Sequence, residues 1–496
     1  MGHVIGLDIG SQSAKGVLTD PDGKIVAKAQ VPYSPYYPRQ TWAEQDTRQY
    51  IEAVITITKR LLTESRVAPS MIGTIGIDAI NDGLVPVDRC GRALRNGILW
   101  MDRRANDEIK EFNSRFDPSE LYRITGLNPD ASHTAAKALW IKKKERRIFD
   151  QAKYLLNIAS FIVFWLTGEP VLDYAQASSS MLLDVRRGTW DTSLCDAFGI
   201  DPSLLGSLCD SISTAGTLTK KAAEALGLES KTKVIVGTGD EQAACIGAGL
   251  LREEALCDIT GTAEPVICFS DRPVFDSEKK LVEVHFSAFN NLWQIENPGF
   301  VSGGSTKWFA EKLLHSSDYS LMNELAGSAP IGSNGVCFLP CMSGAMSPTW
   351  NESARGTFTG LTLSNGREDL SRSVFEGICF AVRDNADRLS EMGLEYSSVR
   401  IVGGGACSPL WCQMKADVLN RPVVSLPSAY CSAAGSAILA SVSEGNFQNA
   451  KEASGQISVS GEKYEPDHAH AKEYDSAYQR YLDCYYSLEP FFADHY

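Results

Sequence analysis

Residues 234–249 read VIVGTGDEQAACIGAG, and this stretch decides how the rest of the chain is read. Val234, Ile235 and Val236 form a short β-branched apolar run, the pattern of a buried strand. Gly237 and Gly239 then let the backbone turn tightly and come close to a ligand. Asp240 stands at that turn, and small residues from 243 onward begin a helix. A carboxylate at the carboxyl end of a strand lies where open α/β sheets place their ligands. Asp is equally a favoured helix N-cap. The stretch alone therefore leaves Asp240 as a cap or as a reacting group.

Composition narrows the class. A chain of 496 residues suggests roughly two to four domains. Net charge is −14, from 47 basic and 61 acidic side chains, which argues against a general nucleic-acid or anionic-membrane surface. The 13 cysteines follow no framework and fit reduced thiols in a cytoplasmic protein. The first residues, MGHVIGLDIG, run into a strand with no leader-like segment. Residues 154–166 are the most apolar helix candidate, too short to span a bilayer and read as a core helix.

Other stretches repeat the strand–turn theme. Residues 4–7 and 16–19 read as two strands joined by DIGSQSAK. Asp8, Ser11, Gln12, Ser13 and Lys15 thus gather at a hairpin mouth. Such a loop can cradle phosphate, with Asp8 reaching a hydrated Mg²⁺, or be a plain hairpin rich in turn residues. A strand at 72–77 delivers Asp78, Asn81 and Asp82 to its end. Residues 98–104, ILWMDRR, place Trp100 and Asp102 beside Arg103 and Arg104. That group suits a polyol, or a core tryptophan with an ion pair. His133 falls in a loop-like stretch as a pocket candidate or a structural histidine. Residues 140–230 read as mostly helical, with loops at 173–180 and 187–191.

Residues 255–263, ALCDITGTA, echo the first loop: Asp8 and Asp258 stand 250 positions apart. Two related lobes facing one cleft follow from that echo. Residues 300–308 form a glycine-rich helix start. The run at 399–406 is a strand ending in Gly403, Gly404, Gly405 and Ala406, where a nucleotide can lie against backbone. Residues 432–443 read as a small-residue helix, and residues 451–496 as a helical tail packed on the body.

DIGSQSAKGVL, ILWMDRRA, TGLNPDASHTAAKALWI, GTGDEQAACIGAG, DITGTA and IVGGGACSPLWCQMKADVLNRPV occur in this order. Together they resemble the FGGY carbohydrate-kinase family, in its xylulokinase-like branch, over nearly the whole chain. The resemblance implies two actin-like (ribonuclease-H-like) α/β lobes with ATP and sugar between them. Residues 1–248 would form the sugar-binding lobe with the first phosphate loop. Residues 249–450 would form the nucleotide-binding lobe, and 451–496 the tail. By the same resemblance Asp240 is the catalytic base, and Asp8 with Asp240 holds Mg²⁺. Ser11, Gln12, Ser13, Lys15, Thr262, Gly303, Lys307, Gly404, Gly405 and Ala406 fall where relatives bind ATP. Asn81, Asp82, Trp100, Asp102, Ser132 and Glu241 fall where they bind sugar. A homodimer is compatible with this reading.

Departures from the branch cluster at the sugar end. Residues 80–83 read INDG where Gln-Met-His-Gly is usual, and Glu241 stands where Gln or Asn is common. Residues 344–348 read GAMSP for Gly-Glu-Arg-Thr-Pro, and Ala263 replaces Ser or Gly in the second phosphate loop. Four acidic residues at that end (Asp82, Asp102, Asp240, Glu241) favour a neutral ketose or polyol over an aldonate. A pentulose such as xylulose comes first, with glycerol, erythritol or gluconate as alternatives. Two other classes are weighed. A nicotinamide oxidoreductase would use 234–242 as a degraded fingerprint with Asp258 as its acidic residue. A sugar or nucleotide sensor would keep the fold without needing a base.

Overall fold

The computed structural model describes residues 2–251, 255–288, 292–457 and 461–496. Alternating apolar residues at the N-terminus fold as an antiparallel meander, β1 (His3–Ile9), β2 (Ser13–Thr19) and β3 (Ile25–Pro32). Helix α1 (Thr47–Ser65) follows, capped by Asp46, and leads to β4 (Ile72–Ala79), which pairs parallel with β1. Helix α2 (Thr134–Lys144), an edge strand β5 (Thr214–Thr217) and β6 (Lys233–Ile235) complete the labelled elements of this half. The first sheet runs in the order β5-β6-β4-β1-β2-β3, and Thr238–Gly239 adds a short parallel pairing to β4.

After α3 (Asp240–Gly247) the pattern recurs with β7 (Ala255–Thr260), β8 (Val266–Ser270), β9 (Glu283–Phe286) and β10 (Trp293–Asn297). Then come α4 (Gly303–Trp308), α5 (Arg367–Glu391), β11 (Ser398–Gly403), α6 (Pro409–Leu419), β12 (Val423–Leu426) and α7 (Cys431–Glu444). The second sheet is ordered β9-β10-β8-β7-β11-β12, closed by β13 (Glu462–Tyr464). The paths β3-β2-β1-β4-β6 and β10-β8-β7-β11-β12 match strand for strand. Each has two antiparallel pairings followed by two parallel ones. The echo between the Asp8 and Asp258 loops is thus a duplication of topology.

Helix α7 does not stay with the second sheet. Ala433, Ala434 and Ala437 pack with Val4, Val17, Ile235 and Ile246 of the first half. Its crossing with α3 is backbone on backbone. A Cβ on Gly435 would lie 1.9 Å from the Ala243 carbonyl oxygen, and one on Gly247 would lie 1.9 Å from that of Cys431. The tail is likewise more than one helix. Helix α8 (Ala450–Ile457) joins the α7 cluster, β13 extends the second sheet, and α9 (Ala471–His495) packs Tyr474, Tyr481 and Tyr485 into the second core.

Two local readings change for the same reason, a polar cap that starts a helix. Residues 154–166 split into a strand, Tyr154–Leu156, and a helix, Ile158–Thr167, because the Asn157 side chain accepts the Ser160 N–H at 2.8 Å. The expected loop at 173–180 holds a helix, Tyr174–Ser178, capped by Asp173. No helix among the described residues is long and apolar enough to cross a membrane. All 13 cysteines are free thiols.

The crossing predicts a sharp contrast between two glycines. Gly435→Ala forces the two helices apart and lowers stability by about 1–3 kcal/mol. Gly455→Ala, in α8 with nothing within 4 Å, is neutral or mildly stabilising. Urea unfolding of the two variants checks this.

Candidate active site

Strand register brings three carboxylates together. Asp8 is the Cα partner of Asp78 across β1 and β4, and Asp78 is the partner of Thr238, two residues before Asp240. Gly239, in extended conformation, is the N-cap of α3, so Asp240 is its first helical residue rather than the cap. Its Oδ1 accepts the Glu241 N–H at 3.0 Å. Burial, and then the charge of Asp8, push Asp240 up to about 6. Burial likewise raises Asp8, opposed by Lys15, whose Nζ lies 3.3 Å from Asp8 Oδ2. Asp78 is raised well above the ordinary carboxylate range, by burial and then by Asp8. Ser436 reaches across from α7 to donate to Asp78 Oδ2 at 2.6 Å, and Asp78 Oδ1 is buried with no partner.

Asp78 is a site residue that the sequence reading placed at a strand end without giving it a role. The donor set is all hard oxygen, which suits Mg²⁺. Among the described residues no group of three or more His, Cys, Asp or Glu forms a ready metal cage. Mg²⁺ ordinarily keeps several waters and completes its shell with one or two carboxylates and substrate phosphates. Asp8 and Asp240 are the two carboxylates that fit.

Two loops carry the phosphate-binding candidates. In the first, the Gly10 N–H closes on the Ser13 carbonyl at 3.1 Å, leaving Ser11 half-buried and Gln12 exposed, while Gln30 Nε2 donates to Ser13 Oγ at 3.2 Å. In the second, Gly261 and Thr262 are exposed, and the Thr262 carbonyl accepts the Ser302 and Gly304 N–H groups. Gly303 must be glycine, because a Cβ there would meet the Gly261 carbonyl at 2.3 Å. Gly404, Gly405 and Ala406 form a 3₁₀ turn after β11, and the Gly405 N–H donates to Thr260 Oγ1 at 2.8 Å. Lys307 points to solvent, with its side chain 63% exposed and Glu311 at 3.9 Å.

Beneath the second loop lies a charge cluster that the sequence did not reveal. Lys415 of α6 is buried between Asp258 and Glu264, which flank Thr260–Thr262. Burial, and then the Asp258 charge, push Glu264 up to about 8. Asp258 is thereby committed to Lys415, not free to bind a ribose, and the nicotinamide reading fails.

Among the sugar-binding candidates, Asn81 Nδ2 donates to Glu241 Oε2 at 3.1 Å. Asp82 contacts His133, and the Ser132 N–H donates to Asp130. Trp100 stays exposed. The second lobe adds residues no motif announced. Glu283 and Glu296 are cross-strand partners on β9 and β10; Glu241 is pushed up to about 8 by burial and then by Asp240, with Asp82 and Glu283 adding to it, and Glu296 is raised in turn by burial and then by the Glu241 charge. Asp102 is the correction here. It is fully buried and chelated by Arg104 at 2.9 and 2.7 Å, and it accepts the Ala43 N–H at 2.6 Å. Its oxygens hold the protein together and are not offered to a substrate.

Sequence models of the FGGY family of carbohydrate kinases match this chain at residues 3–247 for the N-terminal domain and 259–444 for the C-terminal domain. The chain belongs to that family. A xylulose kinase from Bacillus subtilis is 28% identical, over 98% of this chain and 97% of its own. A glycerol kinase from Thermococcus gammatolerans is 29% identical over 91% of each. The crystal structure of a gluconate kinase from Lactobacillus acidophilus superposes with a TM-score of 0.91 at 26% identity, covering 100% of this chain and 99% of that one. Xylulose kinases recur among both the relatives and the solved structures. The two-lobed actin-like fold and the kinase class are thereby established for this chain.

The Lys415 cluster carries a stability prediction. Lys415→Met leaves two buried carboxylates without a cation and costs about 3–5 kcal/mol at pH 8. Glu264 ordinarily titrates near 4.5 and in the fold at about 8, so it takes up a proton as pH falls toward 5. Lys415 holds that carboxyl down, so in the variant it is already protonated at pH 8, and the loss stays about as large at pH 5. Urea unfolding of both proteins at the two pH values reads the difference.

Proposed function

We propose that this FGGY kinase transfers the γ-phosphoryl group of ATP to a hydroxyl of a neutral ketose or polyol, with a pentulose such as xylulose the first choice. Asp240 is the general base. The observation that carries this reading is its position: first residue of α3, half-buried, at the end of the first sheet beside Asp8 and Lys15. Phosphoryl transfer asks the protein chiefly for positioning and charge balance. Asp240 takes the proton from the attacking hydroxyl. The hydroxyls of Ser11, Ser13 and Thr262, with the surrounding backbone N–H groups, hold the phosphate oxygens as charge redistributes. When bound through Asp8 and Asp240, Mg²⁺ supplies charge neutralisation on those oxygens.

Charge also selects the substrate. Glu241, pushed up to about 8, and Glu296, raised well above its ordinary range, hold a proton near neutral pH and donate as well as accept, and with the carboxyl oxygens of Asp82 and Glu283 they match the hydroxyls of a polyhydroxylated neutral molecule. The two arginines that could have welcomed a carboxylate are engaged elsewhere. Arg103 is paired with Asp130, and Arg104 with Asp102 and Glu44. An aldonate would add negative charge to this site with no free guanidinium to meet it, and the His133 imidazole there is already paired with Asp82.

The test is ADP release with xylulose, xylitol, erythritol, glycerol and gluconate, followed by NMR of the product to locate the phosphate. A neutral ketose or polyol should exceed gluconate in kcat/KM by about a hundredfold or more, as expected for a site with mismatched buried polar groups. Gluconate as the best substrate would overturn the neutral-substrate reading.

A further inference from the structure

The polar groups of the sugar end form a row. Asp240 is followed by Glu241; Asn81 donates to Glu241; Asp82 follows Asn81; and His133 closes the row, its Nδ1 3.2 Å from Asp82 Oδ2. Asp82 is held in an unusual way. Its backbone is left-handed, with φ of 57°, which costs a non-glycine residue energy unless its surroundings impose it. Lys137, fully buried one turn along α2 from His133, imposes it. Its Nζ donates to the Asp82 carbonyl at 2.5 Å and also to the Ser132 carbonyl. One ammonium thus ties together the two loops that deliver Asp82 and Ser132.

Two polar atoms are left over. Asp82 Oδ1 and His133 Nε2 are both buried and neither has a partner. His133 is 3% exposed, and Asp82, Asp130 and Glu283 all face it, the last from β9 of the other lobe. Their combined charge outweighs burial and pushes the imidazole up to about 9, so it is protonated at neutral pH and both ring nitrogens donate. A buried donor and a buried acceptor, left unsatisfied on two side chains that touch each other, are costly in an empty site and favourable once matched.

We propose that His133 and Asp82 form a donor–acceptor pair that reads two neighbouring oxygens of the substrate, away from the hydroxyl Asp240 deprotonates. His133 Nε2–H donates to one oxygen, a carbonyl or a hydroxyl, and Asp82 Oδ1 accepts from the adjacent hydroxyl. The proposal rests on the sugar-kinase reading above and deepens it, since the ligand class becomes a vicinal diol or α-hydroxy ketone. His133 is the specificity residue, and Lys137 positions the pair.

The test uses the full-length enzyme with D-xylulose and its 1-, 3- and 4-deoxy analogues, in wild type, His133→Phe and His133→Gln. Wild-type turnover of D-xylulose tests the underlying kinase reading by itself. For the proposal, His133→Phe should raise KM for D-xylulose by about tenfold or more, the usual effect of losing a hydrogen bond to a charged group. KM for ATP should stay put. One deoxy analogue that wild type penalises should no longer be penalised by His133→Phe, and His133→Gln, which keeps a donor, should restore part of the discrimination. Equal discrimination among the analogues by all three proteins would overturn the proposal. So would a parallel rise in KM for ATP and xylulose.

Discussion

The α3–α7 crossing is the constraint on which the active site depends. Two helix backbones touch there, with no room for a side chain at Gly247 or Gly435. Helix α3 begins with Asp240, and α7 carries Ser436, whose hydroxyl is bonded to Asp78 beside Asp8. The helix that begins with Asp240 is therefore locked to the helix that pins the neighbouring carboxylate. Helix α7 follows the last long strand of the second sheet yet packs on the first, so the two halves meet in a shared core. Close packing of this kind transmits small displacements rather than absorbing them.

The electrostatics have the opposite character. Asp8, Asp78 and Asp240 crowd together with Lys15 as their main relief, and at the sugar end Glu241, Glu283 and Glu296 repel one another. Burial of like charges destabilises the free protein. The arrangement makes sense as a site that becomes comfortable only when occupied, with phosphates and hydroxyls supplying what the protein withholds. Strained sites of this kind are where stability is commonly traded for activity. The buried Lys415 cluster is its counterpart: there the cation is built in between the two carboxylates that flank the Thr260–Thr262 loop.

Much of the fold was legible because glycines and carboxylates at strand ends follow from backbone geometry. The β1–β2 hairpin, the turn before α3 and the Gly403–Ala406 turn all lie where their residue types require. What stayed hidden depends on contacts between distant segments. Asp102 sat in a motif-like run, but nothing in the run says that Arg104 would fold back on it and bury it. Asp78 looked like any acidic residue at a strand end until strand register placed it against Asp8. Glu283 and Glu296 belong to strands whose pairing brings the two acids face to face, a relation no local pattern contains. The placement of α7 on the first sheet left one trace, the run of small residues from 433 to 437.

The central claim is that Asp240 acts as the base for phosphoryl transfer. Its most direct test is single-turnover phosphorylation by Asp240→Asn, with binding of ATP and sugar measured separately on the same protein. If Asp240 is the base, the variant folds as stably as wild type, binds sugar within a few-fold of wild type, and carries out the chemical step more slowly by about 10²–10⁴. A chemical step near the wild-type rate, in a variant that binds both substrates, would contradict it.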